Sequence, residues 1–511
     1  MSEWSAGYMA DIDYTYGYYT ELNPLRARLA LLQAGLHAPA MAQACELGFG
    51  QGVTVNLHAA ASGVQWTGTD FNPAHASFAQ DLARVVGRGT PLQEQAFEAF
   101  CQRSDLPDFD FIGMHGIWSW VSDANRAILV DFLERKLRPG GVLYVSYNTQ
   151  PGWAAMAPMR ELLAEHAQTM GAPGAGAVSR MEGALAFAQQ LMATEPVYGL
   201  MNPHVAGRLN KLLEQDRHYL VHEYFASHWQ PMGFSTMARW LAPAKLQWAC
   251  SAHYMDSLEA INLTASQRAL LASIPDPHFR QSVRDFCINQ QFRKDYWVKG
   301  ARALSPAEQL AQWRQQGFVL VQPRAQVDLQ VTGRQAQITY SADIYHPLLD
   351  LLGDHQARTG AQIEHALQPQ GVPLEALRQA LWVLCAIGAA QPAHDGANAA
   401  QAQATAQRLN THLLTQAQGS TSVHCLASPV TGGGVSVTPF QQQFLLARLQ
   451  GLPQPADWGD YAWRILQAQG QCLVKDGQAL AQPEDSRAEL QAQAQAFAQL
   501  QLPLLLALGA V

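Results

Sequence analysis

The chain is 511 residues long, 48% of them hydrophobic, and its 33 basic and 41 acidic side chains give a formal net charge of −8. This length exceeds one ordinary core and predicts two to four globular domains, while the acidic balance argues against a general nucleic-acid-binding protein. Its seven cysteines are widely spaced without a CxxC pair, which argues against a disulfide framework or a metal site and favours a reducing cytoplasm.

We predict no targeting or membrane signal in the N-terminal and C-terminal stretches of this sequence. The N-terminal stretch MSEWSAGYMADIDYTYGYY has no basic start and no apolar run, so no export signal is predicted. The C-terminal stretch LQLPLLLALGAV is apolar but shorter than the roughly 20 residues that a bilayer crossing needs. We therefore expect a cytoplasmic protein without a membrane span.

Residues 25–150 alternate between helical patterns and short apolar runs. The runs ACELG, VQWTGTDF, FDFIGMHG and GGVLYVSYN are typical of strands, and helical stretches such as VTVNLHAAAS and DANRAILVDFLERKL separate them. This alternation predicts an α/β fold with a mostly parallel, doubly wound, Rossmann-like sheet. Ser122 or Asp123 is the predicted cap of the last of these helices, and the turn RPGG is expected to end it.

Helical patterns without strands continue over about 155–215, and we interpret them as a cover over the sheet. The stretches YLVHEYF and KLQWACSAHY then predict the remaining strands of the sheet. The first domain is accordingly expected to span residues 1–255.

Three further segments are predicted after the first domain. They are a helical segment over 256–317, a winged-helix-like module over 318–395 and a C-terminal domain over 396–511. Only Arg358 and Arg378 are basic between residues 355 and 395, so this module is expected to pack or to contact protein rather than to read DNA. The stretch AHDGANAAQAQATAQ is predicted to be a linker, followed by a partly helical region.

The stretch ACELGFGQG places Gly48, Gly50 and Gly52 between a strand and a helix. Such glycines let the backbone approach a nucleotide-like ligand at the carboxyl end of a parallel sheet, although an ordinary tight turn is the alternative. The spacing GxGxG differs from the dinucleotide fingerprint GxGxxG, which argues against an NAD-dependent oxidoreductase. Glu46 suits a cationic amino-acid portion and would repel a pyrophosphate. Asp70, at the end of the next strand, suits both hydroxyls of a ribose.

Several separate motifs, in order along the chain, carry a resemblance to one family. One order of features is typical of class I S-adenosylmethionine-dependent methyltransferases: Glu46, the glycine turn, Asp70 and then the turn and strand LRPGGVLYVS. The stretches HGIWSWVSD, YVSYNTQPGW, HEYFASHWQP, RDFCINQQFRKDYWVKG and LASPVTGGGVSVTPFQQQFLL resemble members that carry a methyltransferase regulatory domain. That family includes bacterial protein-lysine methyltransferases of surface proteins. Phe49 departs from the pattern, because many members have ELGCG where this chain has ELGFG.

The resemblance implies S-adenosyl-L-methionine as the cofactor. By position in the motifs, Glu46, Gly48, Gly50 and Gly52 would line its methionine portion, and Asp70 would bind its ribose. The superfamily often has an acid after the third strand, where LQEQAFEAF offers no clear one, so the adenine candidates are Gln95, Ala96 and Phe97. The rest of the predicted cofactor site is Phe49, Phe71, Phe97 and His115.

Methyl transfer requires a nucleophile held in line with the methyl group and shielded from water. A lysine with an ordinary pKa of about 10.4 needs roughly 4.6 kcal/mol to lose its proton at pH 7, a cost that an apolar, aromatic pocket lowers. Aromatic and polar side chains follow the predicted fourth and fifth strands and precede the first core helix. The predicted catalytic residues are His115, Trp118, Tyr147, Asn148, Tyr16 and Tyr18, with Tyr14, Tyr19, Trp120 and Trp153 in the same segments.

Each of these residues also has a structural interpretation. The tyrosines of YTYGYY alternate as in an edge strand. An edge strand that packs its rings on the sheet is as good an interpretation as a lid that folds over the substrate site. Trp118 could be a core residue, and Asn148 could cap a turn. His115 is either a general base or a structural hydrogen-bonding group. His222 and Glu223 would point to opposite faces of their predicted strand and would not act as a pair.

These observations predict a methyltransferase that modifies a protein, at lysine side chains, with the segments after residue 255 serving docking, regulation or self-association. The protein substrate could be a surface or secreted protein before its export, and a homodimer is possible. The alternatives are a methyltransferase of a small molecule or a surface saccharide, with His115 as base, and a catalytically silent cofactor-fold binding protein. No nucleic-acid partner is expected.

Overall fold

The computed structural model describes residues 15–172, 174–226, 228–420, 422–475, 478–480 and 482–511. Tyr14 of the predicted tyrosine segment lies outside these ranges. No helix within them has both the length and the apolar composition that a membrane crossing needs.

A sheet of seven strands, all formed by described residues, lies at the centre of the fold. Its strands are β1 Gln43–Leu47, β2 Gln65–Asp70, β3 Leu92–Glu94, β4 Phe109–Met114, β5 Leu137–Asn148, β6 Leu246–Ser251 and β7 Phe292–Lys299. Their order is β3-β2-β1-β4-β5-β7-β6. Strands β1 to β5 run parallel, and β7 is antiparallel to both β5 and β6. The predicted α/β, Rossmann-like fold is therefore confirmed.

In the part of the chain that the structure describes, five α-helices precede or connect the parallel strands. They are α1 Pro24–Gln33, α2 Val53–Ala61, α3 Pro73–Val86, α4 Phe97–Cys101 and α5 Asp123–Lys136. The side chain of Asn72 caps α3 ahead of a proline, which is a favourable first helical residue. The predicted cap Ser122 of α5 is also confirmed, because its hydroxyl accepts the Asn125 N–H at 3.2 Å. The stretch RPGG belongs to β5 instead of forming a separate turn.

The described residues between β5 and β6 form six helices. They are α6 Ala157–Thr169, α7 Ala177–Ala193, α8 Val197–Met201, α9 His204–Leu213, α10 Arg217–Phe225 and α11 Phe234–Leu241. The prediction of a strand at YLVHEYF is wrong, since this stretch lies in α10. The cause is local: the Asp216 side chain caps the helix by accepting the Tyr219 N–H at 2.9 Å.

Strand β7, at Phe292–Lys299, corrects the prediction that residues 256–317 form a helical segment. Its sequence FRKDYWVK has three charged residues in its first half, which is atypical of a strand at the centre of a sheet. Two of those charges, Arg293 and Asp295, are nevertheless buried, because they pair with each other and because Arg293 also pairs with Asp285. The sheet thus extends past residue 255, where the first domain was predicted to end.

The remaining elements follow β6 and pack on the sheet and on one another. They are α12 Glu259–Asn262, α13 Ala265–Ala272, α14 Pro277–Ile288, α15 Pro306–Gln315, β8 Gly317–Leu320, β9 Gln330–Thr332, β10 Gln337–Thr339, α16 Ala342–Leu352, β11 Arg358–Thr359, α17 Gly360–Leu367, α18 Leu374–Ala386, β12 Ala390–Ala393, α19 Gly396–Gln416, β13 Cys425–Ser428, β14 Gly433–Ser436, α20 Pro439–Leu449, α21 Pro455–Ala468, β15 Val474–Lys475, β16 Gln478–Ala479 and α22 Pro483–Ala507. A small sheet of order β11-β8-β12 lies within the segment predicted to be winged-helix-like. That interpretation and the domain boundaries stay predictions.

Helix α19 occupies the stretch that was predicted to be a linker, so that prediction is wrong. Asp395 caps the helix, and its alanine and glutamine residues favour helix formation. One face of α19 shares a hydrophobic core with α2 and α3, in which Leu409 packs with Leu57 and Leu82. The C-terminal segment therefore rests directly on the helices that flank the glycine turn.

A buried ion network joins β5, β6, β7 and α14. The Arg293 guanidinium donates to Asp285 Oδ1 at 2.6 Å and to Asp295 Oδ2 at 2.8 Å. Asp295 also accepts the Tyr147 hydroxyl at 3.1 Å and the Trp248 indole N–H at 3.0 Å. Buried charges are tolerated only when they are paired and hydrogen-bonded, and each charged side chain of this network has such a partner, although Asp285 Oδ2 has none among the described residues.

We expect Asp295→Asn to destabilise the protein, because it removes one of the two carboxylates that compensate the buried Arg293 charge. The loss should be about 3 kcal/mol, which lowers the thermal midpoint of a 511-residue chain by roughly 3 °C. The matched control is Asp460→Asn, which breaks the more exposed pair with Arg487 and should cost less than about 1 kcal/mol. Equal melting midpoints for the two variants would contradict the importance of the network.

Candidate active site

A cavity of 370 Å³ opens at the carboxyl ends of the parallel strands. We call it the central cavity. Its wall is formed by the glycine turn after β1, the end of β2, residues 95–98, the loop after β4, helix α10 and part of the N-terminal segment. In open α/β sheets, ligands bind at this edge, where the order of the strands reverses.

The glycine turn brings bare backbone to the cavity wall. Gly48, Gly50 and Gly52 all have positive φ angles, of 75°, 57° and 67°. A side chain at Gly48 would collide with Ile117, and one at Gly52 would collide with Ala79. Two constraints, conformation and space, therefore require glycine in the turn, and α2 begins directly after it. Phe49 is buried between these glycines and also lines the cavity.

Asp70 ties the end of β2 to the glycine turn. Its Oδ2 accepts the Gly50 N–H at 2.8 Å and its Oδ1 accepts the Asn72 N–H at 3.0 Å. His75 Nδ1 lies 3.4 Å from Asp70 Oδ1. Each carboxylate oxygen retains a further lone pair, so the side chain can still accept hydrogen bonds from hydroxyl groups in the cavity.

Glu46 carries a carboxyl oxygen that has no hydrogen-bond partner among the described residues. The residue is 2% exposed, and its Oε2 makes no hydrogen bond to any described residue. Burial, and secondarily the nearby Asp70 charge, raises the pKa of Glu46 well above its ordinary value. A buried acceptor of this kind is suited to a ligand that brings a positively charged donor.

Apolar side chains line the cavity beyond Asp70. Phe71, Phe97 and Ile117 are partly buried and contribute to its wall. Gln95 is held by its backbone, because its N–H donates to Asp70 O at 3.0 Å and its carbonyl accepts the Thr69 hydroxyl at 2.5 Å. These surfaces suit a flat base, and the sequence candidates Gln95, Ala96 and Phe97 all lie in the wall.

His115 lies between aromatic rings at the end of β4. Its Nδ1 shares a hydrogen bond of 2.7 Å with the Tyr144 hydroxyl, and its ring stacks on Tyr19 at 3.5 Å. Burial lowers the pKa of His115 to about 3. The imidazole is therefore neutral at pH 7 and is a weak proton acceptor there.

Residues 15–19 of the tyrosine segment fold over the cavity, and none of these described residues forms a strand. Thr15, Gly17 and Tyr19 line the cavity, whereas Tyr16 and Tyr18 face away from it. The Tyr16 ring contacts the ring of Phe78 at 5.1 Å, and the Tyr18 hydroxyl bonds to His58 Nε2 at 3.1 Å. Among the described tyrosines of this segment, Tyr19 lies in the cavity wall, where Tyr16 and Tyr18 had been predicted.

The other predicted catalytic residues lie behind the cavity wall. Trp118 is fully buried, with its indole N–H 3.3 Å from Met232 Sδ, and Tyr147 is fully buried in the Asp295 network. Trp118 is thus a core residue, as its structural interpretation proposed. Trp120, from the same motif, lines the cavity instead. The Asn148 amide reaches Glu223 Oε1 at 3.5 Å.

Helix α10 supplies cavity residues that the sequence interpretation missed. Tyr219, His222, Glu223 and Ala226 line the central cavity, although His222 and Glu223 were expected on opposite faces of a strand. The Asp216 cap at the start of DRHYLVHEYF was the signal that could have identified the helix. Burial raises the pKa of Glu223 to about 6, against the opposing hydrogen bond from Asn148.

Comparison with known proteins identifies relatives along the whole chain. A family model described as a predicted methyltransferase regulatory domain matches residues 216–299, which run from α10 to β7. The uncharacterized protein sll1526 of Synechocystis is 35% identical over 99% of this chain and 99% of its own length. The uncharacterized protein RP789 of Rickettsia prowazekii is 25% identical over 55% of this chain and 51% of its own.

Solved structures agree on the fold over nearly the full length. PKMT2 from Rickettsia typhi, in complex with AdoHcy, matches with a TM-score of 0.71 and 16% identity, covering 97% of this chain and 100% of that one. Another structure of PKMT2 matches with a TM-score of 0.67 and 15% identity, covering 95% and 98%. The full-length relative and the family model show that the chain belongs to the methyltransferases that carry a methyltransferase regulatory domain, and the fold shared with PKMT2 agrees with the class I S-adenosylmethionine-dependent type that the motifs indicate.

Proposed function

We propose that this methyltransferase modifies the ε-amines of lysine side chains in a protein substrate. The observation that carries the proposal is the wall of the central cavity near the ends of β4 and α10. There the carboxylate of Glu223 accompanies the rings of Tyr19, His115, Trp120 and Tyr219. A carboxylate among aromatic rings attracts an ammonium group by charge and by cation–π interaction.

The glycine-turn half of the same cavity fits the cofactor. S-adenosyl-L-methionine supplies an activated methyl group when it is bound. Glu46, with its unpartnered oxygen, would receive the ammonium of the methionine portion, and Asp70 would accept the ribose hydroxyls. Phe71 and Phe97 offer apolar surface to adenine. These assignments leave the α10 wall for the methyl acceptor.

The state of His115 argues against the oxygen-acceptor mechanism in which His115 is the base. That mechanism requires the imidazole to take the hydroxyl proton, whereas burial and the bond to Tyr144 leave His115 a poor proton acceptor. The fold shared with PKMT2 and the resemblance to bacterial protein-lysine methyltransferases also support the proposal. A surface-protein substrate and a homodimer stay predictions.

The proposed acceptor is tested by label transfer. We expect labelled methyl from S-adenosyl-L-methionine to enter the protein fraction of an extract of the source cell. After acid hydrolysis, the label should be recovered as methyl-lysine. Label confined to the small-molecule or saccharide fraction would replace the amine acceptor with an oxygen acceptor, and protein label in other amino acids would exclude lysine.

The cofactor site is tested by Asp70→Ala. The variant loses the acceptor for the ribose hydroxyls, and hydrogen bonds to a charged group contribute about 1.5–3 kcal/mol each. Affinity for S-adenosyl-L-methionine, measured by calorimetry, should therefore fall roughly 100-fold or more. The control Asp81→Ala removes an exposed carboxylate of α3 and should bind normally. Unchanged affinity of Asp70→Ala would refute the assignment.

His115→Ala distinguishes a wall residue from a general base. A general base contributes about 10²- to 10⁴-fold to rate. We expect a smaller loss, within about 10-fold, in the initial rate of methyl-lysine formation, because the neutral imidazole packs against Tyr19 rather than accepting the proton. His346→Ala, an exposed site on α16, is the control. A loss of 100-fold or more would assign the base role to His115.

A further inference from the structure

We propose that Glu223 is a catalytic residue that binds the substrate ammonium and accepts its proton. This role rests on the proposed lysine acceptor. Among the described residues, four acids line the central cavity: Glu46, Asp70, Glu98 and Glu223. Glu46 and Asp70 meet the glycine turn, and Glu98 is exposed at the start of α4. Glu223 is thus the acid that faces the cavity from α10, away from the cofactor half.

The backbone at Glu223 is held in place from α6. Arg160 Nε donates to the Glu223 carbonyl at 3.2 Å, and its Nη2 donates to the Ala226 carbonyl at 3.3 Å. The Arg160 guanidinium also lies 4.3 Å from the centre of a Trp229 ring. Because these contacts satisfy carbonyls at the end of α10, they fix where its last turn places the Glu223 side chain.

Asn148 positions the carboxylate. Its side-chain amide lies 3.5 Å from Glu223 Oε1, so the bond is long but directed at the acid. Asn148 is itself fixed, since its N–H donates to Ser119 Oγ at 2.9 Å and its carbonyl accepts the Met232 N–H at 3.1 Å. Asn148 therefore acts through Glu223, as a positioning residue at the end of β5.

The surroundings of Glu223 suit a proton acceptor. Burial raises its pKa to about 6, while the Asn148 bond and the charges of Arg160 and Arg208 oppose that rise. The titratable side chains beside it on α10 are those of Tyr219, His222 and Tyr224. Glu223 is consequently ionised at pH 7, yet it is more basic than an ordinary carboxylate, which favours proton transfer.

The proton transfer balances without a further reactant. An N–H bond of the lysine ammonium breaks, its electron pair stays on nitrogen, and an O–H bond forms on the Glu223 carboxylate. The lone pair of the neutral amine would then form the N–CH3 bond while the S–CH3 bond of S-adenosyl-L-methionine breaks and leaves its electron pair on sulfur. The positive charge passes from sulfur to the methylated nitrogen, and Glu223 returns its proton to solvent.

The test compares Glu223→Gln with Glu214→Gln, an exposed acid just before α10. Label transfer into methyl-lysine is measured with the protein fraction of the source-cell extract, at pH 7 and at pH 9.5. We expect Glu223→Gln to lose 100-fold or more at pH 7, with normal affinity for S-adenosyl-L-methionine. The deficit should shrink at pH 9.5, where lysine begins to lose its proton unaided. Glu214→Gln should match the unmodified enzyme.

Three outcomes would overturn the role of Glu223: an unchanged rate, a deficit that is the same at both pH values, or weakened cofactor binding. Failure of the lysine proposal is distinguishable, because the unmodified enzyme would then form no methyl-lysine.

Asn148→Ala is the second variant, in case Glu223→Gln unfolds. It removes a donor to the ionised carboxylate, so the acidic midpoint of its pH–rate profile should rise, and an unchanged midpoint would contradict the role.

Discussion

The pairing of the buried Arg293 with two carboxylates is the constraint on which the active site depends. It permits β7 to lie antiparallel to β5, in a register that puts Tyr147 opposite Arg293 and Asn148 opposite Phe292. The Tyr147 hydroxyl then anchors the end of β5 to Asp295, one residue before Asn148. Strand β7 lies within residues 216–299, which the regulatory-domain model matches. It therefore positions the end of β5 behind the cavity wall by pairing with β5 in the sheet.

The roof of the cavity depends on distant parts of the chain. Lys294 of β7 pairs with Glu21 at 2.6 Å, and the Tyr296 hydroxyl donates to the Glu21 carbonyl at 2.6 Å. From the C-terminal segment, the Thr431 carbonyl accepts the Asn23 amide at 2.9 Å. These bonds hold the residues that directly follow Tyr19, whose ring covers His115. Regulatory and C-terminal segments therefore meet at the same short stretch of N-terminal chain.

The sequence predicted those parts of the site that local rules determine. Glycine is recognisable in the turn because no other residue tolerates both its conformation and its lack of space, and Asp70 follows the next strand at the same edge. Strand β7 could not be recognised from its sequence, because charged residues such as Arg293 and Asp295 are typical of exposed positions. Their burial depends on partners from α14 and β6 that only the structure identifies. Helix α10 was missed because YLVHEYF fits a strand by composition, while a single capping aspartate decides otherwise.

The number of hydrogen-bond donors around each cavity acid separates the functions of the acids. Asp70 receives two backbone N–H groups, so its charge is compensated and its remaining lone pairs suit neutral hydroxyls. Glu46 Oε2 receives none from the described residues, and an ionised Glu46 requires a cation from the ligand. Glu223 has one long bond from Asn148 and lies between these extremes. A partly compensated carboxylate can hold an ammonium and still take its proton, which neither of the other two environments favours.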